Sequence, residues 1–302
     1  MCYDILIVGG GPAGLSAAIN GRARGKTVLL LSSPREDSPL WKAERVENYL
    51  GLPGVTGAEL LTAFRRHAEA SGADEGCGVL EVGPGIGPLT AQLVRRAAKV
   101  ASVELDVRLY PVLRETMADT GNFTLIEGDA MKLDFPQVIQ EHFTGLRPIL
   151  CANLPYNITT PVLTKCVESR CFDSLTVLIQ KEVAQRICAA PGSKVYGILS
   201  VLLQAWYDCE YLFTVDENVF APPPKVKSGV IRLTRNTRTI LGCDERKFKT
   251  VVKTSFGMRR KTLRNSLAGL MSPGSTLGGD PILQKRPEQL SVEEFIDITN
   301  RL

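Results

Sequence analysis

Residues 78–105 read GVLEVGPGIGPLTAQLVRRAAKVASVEL. A short apolar run, Val79 to Val82, leads into three glycines at alternate positions, Gly83, Gly85 and Gly87. A helical pattern over 88–98 follows, and then a second apolar run, Val100 to Glu104. Strand, glycine turn, helix and strand in this order form the opening unit of a parallel sheet. Working outward, the same alternation continues. Phe123 to Glu127, Ile149 to Asn153 and Leu175 to Gln180 read as strands three, four and five. Later, APPPKVKSGVIRL (221–233) reads as a proline-rich loop entering a late strand, because prolines 222–224 cannot occupy the interior of a central strand. From Asp244 the pattern turns helical, and SPGSTLGG (272–279) interrupts it, so a small C-terminal helical unit is expected.

The chain has 302 residues, enough for two domains, with 44% hydrophobic and 23% charged residues as in globular proteins. No apolar run is long enough to span a bilayer, and MCYDILIVGG lacks the basic start of a secretory signal. The expectation is a cytoplasmic monomer with no membrane partner. Eight cysteines are scattered without a C-x-x-C pair and only two histidines occur, so reduced thiols and no metal site are expected.

The ends of the expected strands carry the candidate chemistry. Glu81 to Gly87 form a loop with too little side chain to keep a bulky ligand away from the backbone. The glycines are not at dinucleotide spacing, and no lysine follows them as in a phosphate-binding P-loop. Glu104, in VELD, ends strand two, where a carboxylate can accept ribose hydroxyls. Asp129, in EGDA beside Ala130, follows strand three, within reach of an adenine amino group. Ligands of open parallel sheets sit at such strand ends. Each acid alone would be an ordinary solvated loop residue; together with the glycines they form a pattern for S-adenosylmethionine.

Strand four ends in Asn153-Leu154-Pro155-Tyr156. An amino group conjugated to a purine is a poor nucleophile, since its lone pair is delocalised. A site acting on it must accept its hydrogen bonds and hold it in line with an electrophile. Asn153 offers a side-chain oxygen and Leu154 a backbone carbonyl, because Pro155 imposes an extended turn. Tyr156 offers a stacking face, worth about 1–3 kcal/mol per base, for an unpaired or flipped adenine. The alternative is an ordinary strand-to-turn transition, which the neighbouring glycines and acids argue against. No residue stands out as a general base.

The leading stretch carries a second glycine loop. GGGPAG (9–14) fits G-x-G-x-x-G between DILIV and an expected helix. The acidic ribose ligand expected after the next strand is replaced by Ser32 and Ser33. Residues 1–73 resemble the N-terminal FAD-binding part of thioredoxin reductases, through GGGPAGLSAA, WKAERVENYLGLPG and GAELLTAFRRHAEASGA. That family also uses a redox C-x-x-C pair, an NADPH domain and a C-terminal segment that completes the flavin pocket. None is found in this sequence, so the stretch reads as a partial FAD-binding βαβ fragment without redox function.

Residues 75–302 resemble the rRNA adenine N6-dimethyltransferases of the KsgA type. The resemblance rests on VLEVGPGIGPLT, VELD, EGDA, NLPYNITTPVL, FAPPPKVKSGVIRL and SFGMRRKTLRNSL, in that order. It implies a Rossmann-like class I methyltransferase sheet (75–236) with a small C-terminal helical RNA-binding domain (237–302). It implies S-adenosylmethionine as donor, with Glu81, Gly83, Gly85, Gly87, Glu104, Asp129, Ala130 and Asn153 around it. Asn153, Leu154, Pro155 and Tyr156 would face the adenine, with Phe220 a candidate to close over it. The partner implied is small-subunit rRNA within a pre-ribosomal particle. The family carries a Gln-Asn-Phe-Leu segment upstream of its first strand; here the flavoprotein-like stretch takes that place.

Residues 244–265 carry eight cations against Asp244 and Glu245. Such a run is commonly a solvated helix face; beside an adenine site, RNA phosphate becomes the better partner. Lys225, Lys253, Arg259, Arg260, Lys261 and Arg264 are the candidate contacts. Two other functions fit parts of the sequence: an rRNA-binding assembly factor that does not transfer methyl groups, and a flavin-dependent, thioredoxin reductase-like oxidoreductase.

Overall fold

The computed structural model describes residues 4–8, 26, 28–31, 66–216, 226–272 and 275–302. The GGGPAG loop, Phe220 and Lys225 lie outside the described residues. Two short strands, β1 (Ile5–Val8) and β2 (Val28–Leu31), pair in parallel as a sheet of their own.

The main sheet has seven strands: β3 (Cys77–Val82), β4 (Lys99–Glu104), β5 (Phe123–Glu127), β6 (Arg147–Asn153), β7 (Ser174–Gln180), β8 (Tyr207–Val215) and β9 (Ser228–Arg235). Their spatial order is β5-β4-β3-β6-β7-β9-β8. The first five pair in parallel, and β9 and β8 close the edge antiparallel. All five strands expected from the sequence are present, with four of them starting one or two residues earlier. Both faces are covered: every residue of β3 is buried, as is nearly all of β7. That is why these strands read as continuous apolar runs rather than as alternation.

The helix expected over 88–98 is shorter. α1 spans Thr90–Leu93 and then tightens, the Arg96 N–H bonding the Leu93 carbonyl at 3.0 Å. Asn122, just before β5, donates its side-chain amide to the Val94 and Ala97 carbonyls at 2.8 and 3.0 Å. These bonds from a distant loop satisfy the orphan carbonyls of the helix end.

Residues 66–73, grouped by resemblance with the leading stretch, pack on the main sheet. Ala68 is buried with Cys77, Val79, Leu93 and Cys151. His67 donates from Nε2 to the Thr176 carbonyl (3.3 Å), and the Thr176 hydroxyl donates to the Ala70 carbonyl (3.3 Å). Arg147, opening β6, reaches back to Asp74 at 2.9 Å.

The C-terminal residues form a small helical unit around α2 (Glu245–Gly257) and α3 (Val292–Arg301). Asp244 caps the first through the Lys247 N–H, and Ser291 with Glu294 makes a reciprocal capping box on the second. Phe248, Val251, Val252, Phe295 and Ile298 join the same core as the sheet's buried face. The Arg170–Glu245 and Lys249–Glu168 ion pairs tie the unit to the sheet domain. Among the described residues the seven cysteines are free thiols, and no helix is long and apolar enough to cross a membrane.

Candidate active site

The strand order reverses direction between β3 and β6: the chain runs outward from β3 through β4 to β5, then returns to the other side. A ligand crevice is expected outside the carboxyl ends at such a point. A cleft of about 470 Å³ opens there, lined by Val82, Gly83, Val103 to Asp106, Gly128 to Ala130, Pro155, Asn157 and Ile158. This is the size of a small-molecule site.

The glycine loop is built for this position. Gly83, Gly85 and Gly87 have φ of 71°, 61° and 86°, left-handed values that favour glycine. The Gly83 N–H bonds the Val103 carbonyl (3.0 Å), and the Gly85 N–H donates to Glu104 Oε2 (3.1 Å). Gly83 lines the cleft, whereas Gly85 and Gly87 shape the turn behind it.

Glu104 is only 8% exposed and accepts three backbone N–H bonds. Leu105 and Asp106 donate to Oε1 at 2.9 Å each, and Gly85 donates to Oε2. A carboxylate has about four acceptor positions, so one position on Oε2 remains for a ligand hydroxyl. The carboxylate is aimed by backbone alone. Asp129 Oδ1 accepts the Met131 N–H at 2.9 Å, which fixes its side chain at the cleft wall beside Ala130.

Glu81 does not line the cleft. It is buried beneath the loop, where Ser102 and Thr90 donate to its Oε2 at 2.6 and 2.7 Å. Burial, opposed by these two hydrogen bonds, pushes its carboxyl up to about 7. It ties the glycine turn to β4 and α1 rather than reaching the space the ligand would fill.

Of the NLPY tetrad, Pro155 alone is among the residues that line the cleft, and Asn153, Leu154 and Tyr156 lie beside it in sequence. Pro155 lines the cleft, about 3.7 Å from where a side chain on Gly83 would begin. Asn153 is half-buried at the end of β6, and among the described residues its side-chain amide has no hydrogen-bond partner. Leu154 is buried, its N–H spent on the Leu178 carbonyl at 3.1 Å. Tyr156 is half-buried, and its hydroxyl pairs with Ser228 Oγ at 2.8 Å. Ser228 opens β9 and is fully buried.

Sequence reasoning missed Asn157 and Ile158, which line the cleft directly after the tetrad, and Leu105 and Asp106, directly after Glu104. Adjacency to a recognised strand end was the available signal. It also missed Ser228, for which no local pattern exists.

The cationic candidates lie away from the cleft lining. Lys253, Arg260, Lys261 and Arg264 are exposed. Arg259 is half-buried, donates to the Lys194 carbonyl (2.5 Å) and lies 4.0 Å from Glu288.

The family model described as "Ribosomal RNA adenine dimethylase" matches residues 62–302, and one described as "FAD binding domain" matches residues 4–37. The Bacteroides thetaiotaomicron protein named ribosomal RNA small subunit methyltransferase A is 52% identical over 225 residues, 74% of this chain and 82% of that protein. The Porphyromonas gingivalis protein of the same name is 47% identical over 241 residues, 79% of this chain and 92% of that protein. Among solved structures, a dimethyladenosine transferase from Plasmodium falciparum superposes with TM-score 0.68 at 24% identity, covering 78% of this chain and 94% of that one. The 23S rRNA methyltransferase ErmE superposes with TM-score 0.57 at 25% identity, covering 79% and 97%. Over residues 62–302, about four fifths of its length, this chain belongs to the ribosomal RNA adenine dimethylase family.

Proposed function

We propose that this chain transfers methyl groups from S-adenosylmethionine to the N6 amino group of two adjacent adenines in small-subunit rRNA, acting as a monomer on a pre-ribosomal particle. The relatives that carry the name small subunit methyltransferase A, at about half identity over most of their length, support the substrate class. The observation that carries the reading is the cleft at the reversal of the sheet. It brings Gly83, Glu104, Asp129 and Ala130 on one side together with the turn after Asn153 on the other.

The cleft suits the donor. Its volume is adequate, Val82, Val103 and Leu105 give it apolar lining, and Glu104 and Asp129 bring carboxylates to it. Glu104 keeps one acceptor position for a ribose hydroxyl, and Asp129 is placed for an adenine amino group. When bound, S-adenosylmethionine supplies a methyl carbon already activated by a positively charged sulfur. The protein's task is then positioning and desolvation. Asn153 accepts a hydrogen bond from the adenine amino group through its unpartnered side chain. Tyr156, anchored at its hydroxyl, presents its ring to the base. The amino nitrogen takes the methyl carbon, the carbon–sulfur pair stays on sulfur, and the surplus amino proton passes to solvent. Residues 66–73 belong, in this reading, to the methyltransferase unit that continues to 236, and residues 237–302 supply the RNA-facing helical unit.

Purified protein with radiolabelled S-adenosylmethionine should label unmethylated small-subunit particles at adenine N6. Asn153→Ala should reduce transfer at least a hundredfold while leaving the thermal midpoint within a few degrees. Full transfer by folded Asn153→Ala protein would remove the tetrad from the mechanism, and no transfer by the folded parent chain would reject the assignment.

A further inference from the structure

The loop 190–197 of the sheet domain lies against the basic turn that follows α2. The Arg259 guanidinium donates to the Lys194 carbonyl at 2.5 Å, and the Gly192 N–H donates to the Glu288 carbonyl at 2.6 Å. Below them the buried Tyr196 ring packs on Phe256, centroids 6.2 Å apart. The first of these ties joins the two loops directly across 65 residues of sequence, and the others fasten loop 190–197 to Glu288 and to Phe256 of α2.

What that surface presents is unusual. Val195 and Met258, both apolar, are 45% and 53% exposed. On the same two loops Lys194, Arg260 and Lys261 are exposed, with no carboxylate partner among the described residues. The neighbouring acids are engaged elsewhere: Glu293 with Arg238 at 2.8 Å, Glu294 with Lys285 at 2.5 Å, and Glu288 beside Arg259. The two loops therefore present exposed cations together with two exposed apolar side chains. Phosphate backbone complements the cations, and a sugar or unstacked base face complements the apolar pair.

We propose that loop 190–197 and turn 258–261 form a single rRNA-binding surface spanning both domains, with Lys194 contacting phosphate and Val195 with Met258 packing on an exposed nucleotide. This rests on the rRNA reading given above. It adds that the sheet domain, and not only the helical unit, grips RNA outside the cleft. Because the ties run across the domain junction, RNA bound there also fixes the orientation of the cleft toward its target.

The test measures binding of the full chain to deproteinised, unmethylated small-subunit rRNA over a series of salt concentrations. Lys194→Ala is expected to weaken binding three- to tenfold and to reduce the salt slope by about one unit, as for loss of one phosphate contact. Lys194→Arg should restore both. Val195→Ser with Met258→Ser should weaken binding without changing the slope. Donor affinity by calorimetry should be unchanged in all three. If Lys194→Ala binds like the parent while Arg260→Ala is weakened, the loop is not part of the surface and the proposal falls. A loss seen only with intact particles, and not with deproteinised rRNA, overturns it in favour of a ribosomal protein contact. Failure of the parent chain to bind rRNA would sink the underlying functional reading itself, a result no variant can mimic.

Discussion

Tyr156 is held at the tip of its side chain. Its hydroxyl meets Ser228 Oγ at 2.8 Å, and Ser228 is locked at the start of β9, where it pairs with Gln180 of β7. A stacking ring with a tethered tip has less freedom to lose when a base arrives, so the tether should favour base binding rather than donor binding. Ser228→Ala and Tyr156→Phe remove the same hydrogen bond, worth about 0.5–1.5 kcal/mol. Each should therefore raise KM for rRNA about three- to tenfold while donor affinity stays constant. The double variant should lose no more than either single one. Steady-state methyl transfer on rRNA measures this; losses that simply multiply would show that the bond is idle in base binding. Tyr156 was legible in the sequence because it sits in a compact tetrad beside an apolar strand. Its anchor was not, since 72 residues separate the two and neither type announces the pairing. Glu81 shows the converse difficulty. In a sheet covered on both faces, alternation does not tell which side an acid takes, and its neighbours Ser102 and Thr90 come from other elements.

At the scale of elements, β3 illustrates how tightly the sheet is packed against its helical layer. A side-chain carbon on Gly78 would lie 2.4 Å from the Phe143 ring, well inside contact distance. Gly78 sits opposite Pro148 of β6, so β3 cannot shift without breaking its register. Gly78→Ala should therefore destabilise the protein by about 1–3 kcal/mol, the usual cost of overpacking. Phe143→Leu in the same chain should recover part of that loss, and urea midpoints at constant slope read both effects. Recovery of nothing would mean that backbone entropy, not the clash, sets the role of Gly78. The strands themselves were readable because apolar runs of five to seven residues between turn signals have few alternatives. The helix after the glycine loop was misjudged in length, since its end is set by Asn122 reaching in from the loop before β5. Bonds from remote loops leave no periodicity to detect.

At the scale of the whole molecule, two buried titratable groups lie on the covered sheet and oppose each other. Burial lowers His67 from 6.5 to about 4, the bond to the Thr176 carbonyl only partly offsetting it, while Nδ1 has no partner among the described residues. Burial raises Glu81 from 4.5 to about 7. The unfolded chain protonates His67 more readily than the folded one, so its contribution to stability is lost as pH falls from 6.5 toward 4. The folded chain holds the Glu81 proton more tightly, so that contribution is present below pH 4.5 and lost as pH rises toward 7. Each amounts to roughly 3 kcal/mol across its window, with slopes of about 1.4 kcal/mol per pH unit. Between pH 4.5 and 6.5 the two slopes have opposite signs and nearly cancel. Stability of the parent chain should therefore change little there on their account. His67→Gln keeps a donor for Thr176 but removes one slope, and the decline due to Glu81 then stands alone. Urea unfolding of that variant should show stability falling by about 2–3 kcal/mol from pH 5 to 7, relative to the parent over the same range. Parallel curves for variant and parent would mean that His67 titrates normally in the fold. The sequence could not announce this balance. His67 lies in the segment grouped by resemblance with the flavoprotein-like stretch, and only its packing against β7 makes it part of the methyltransferase core. Retention of the histidine effect in a chain beginning at residue 62 would show that the segment's contribution is to this sheet and is independent of the leading strands.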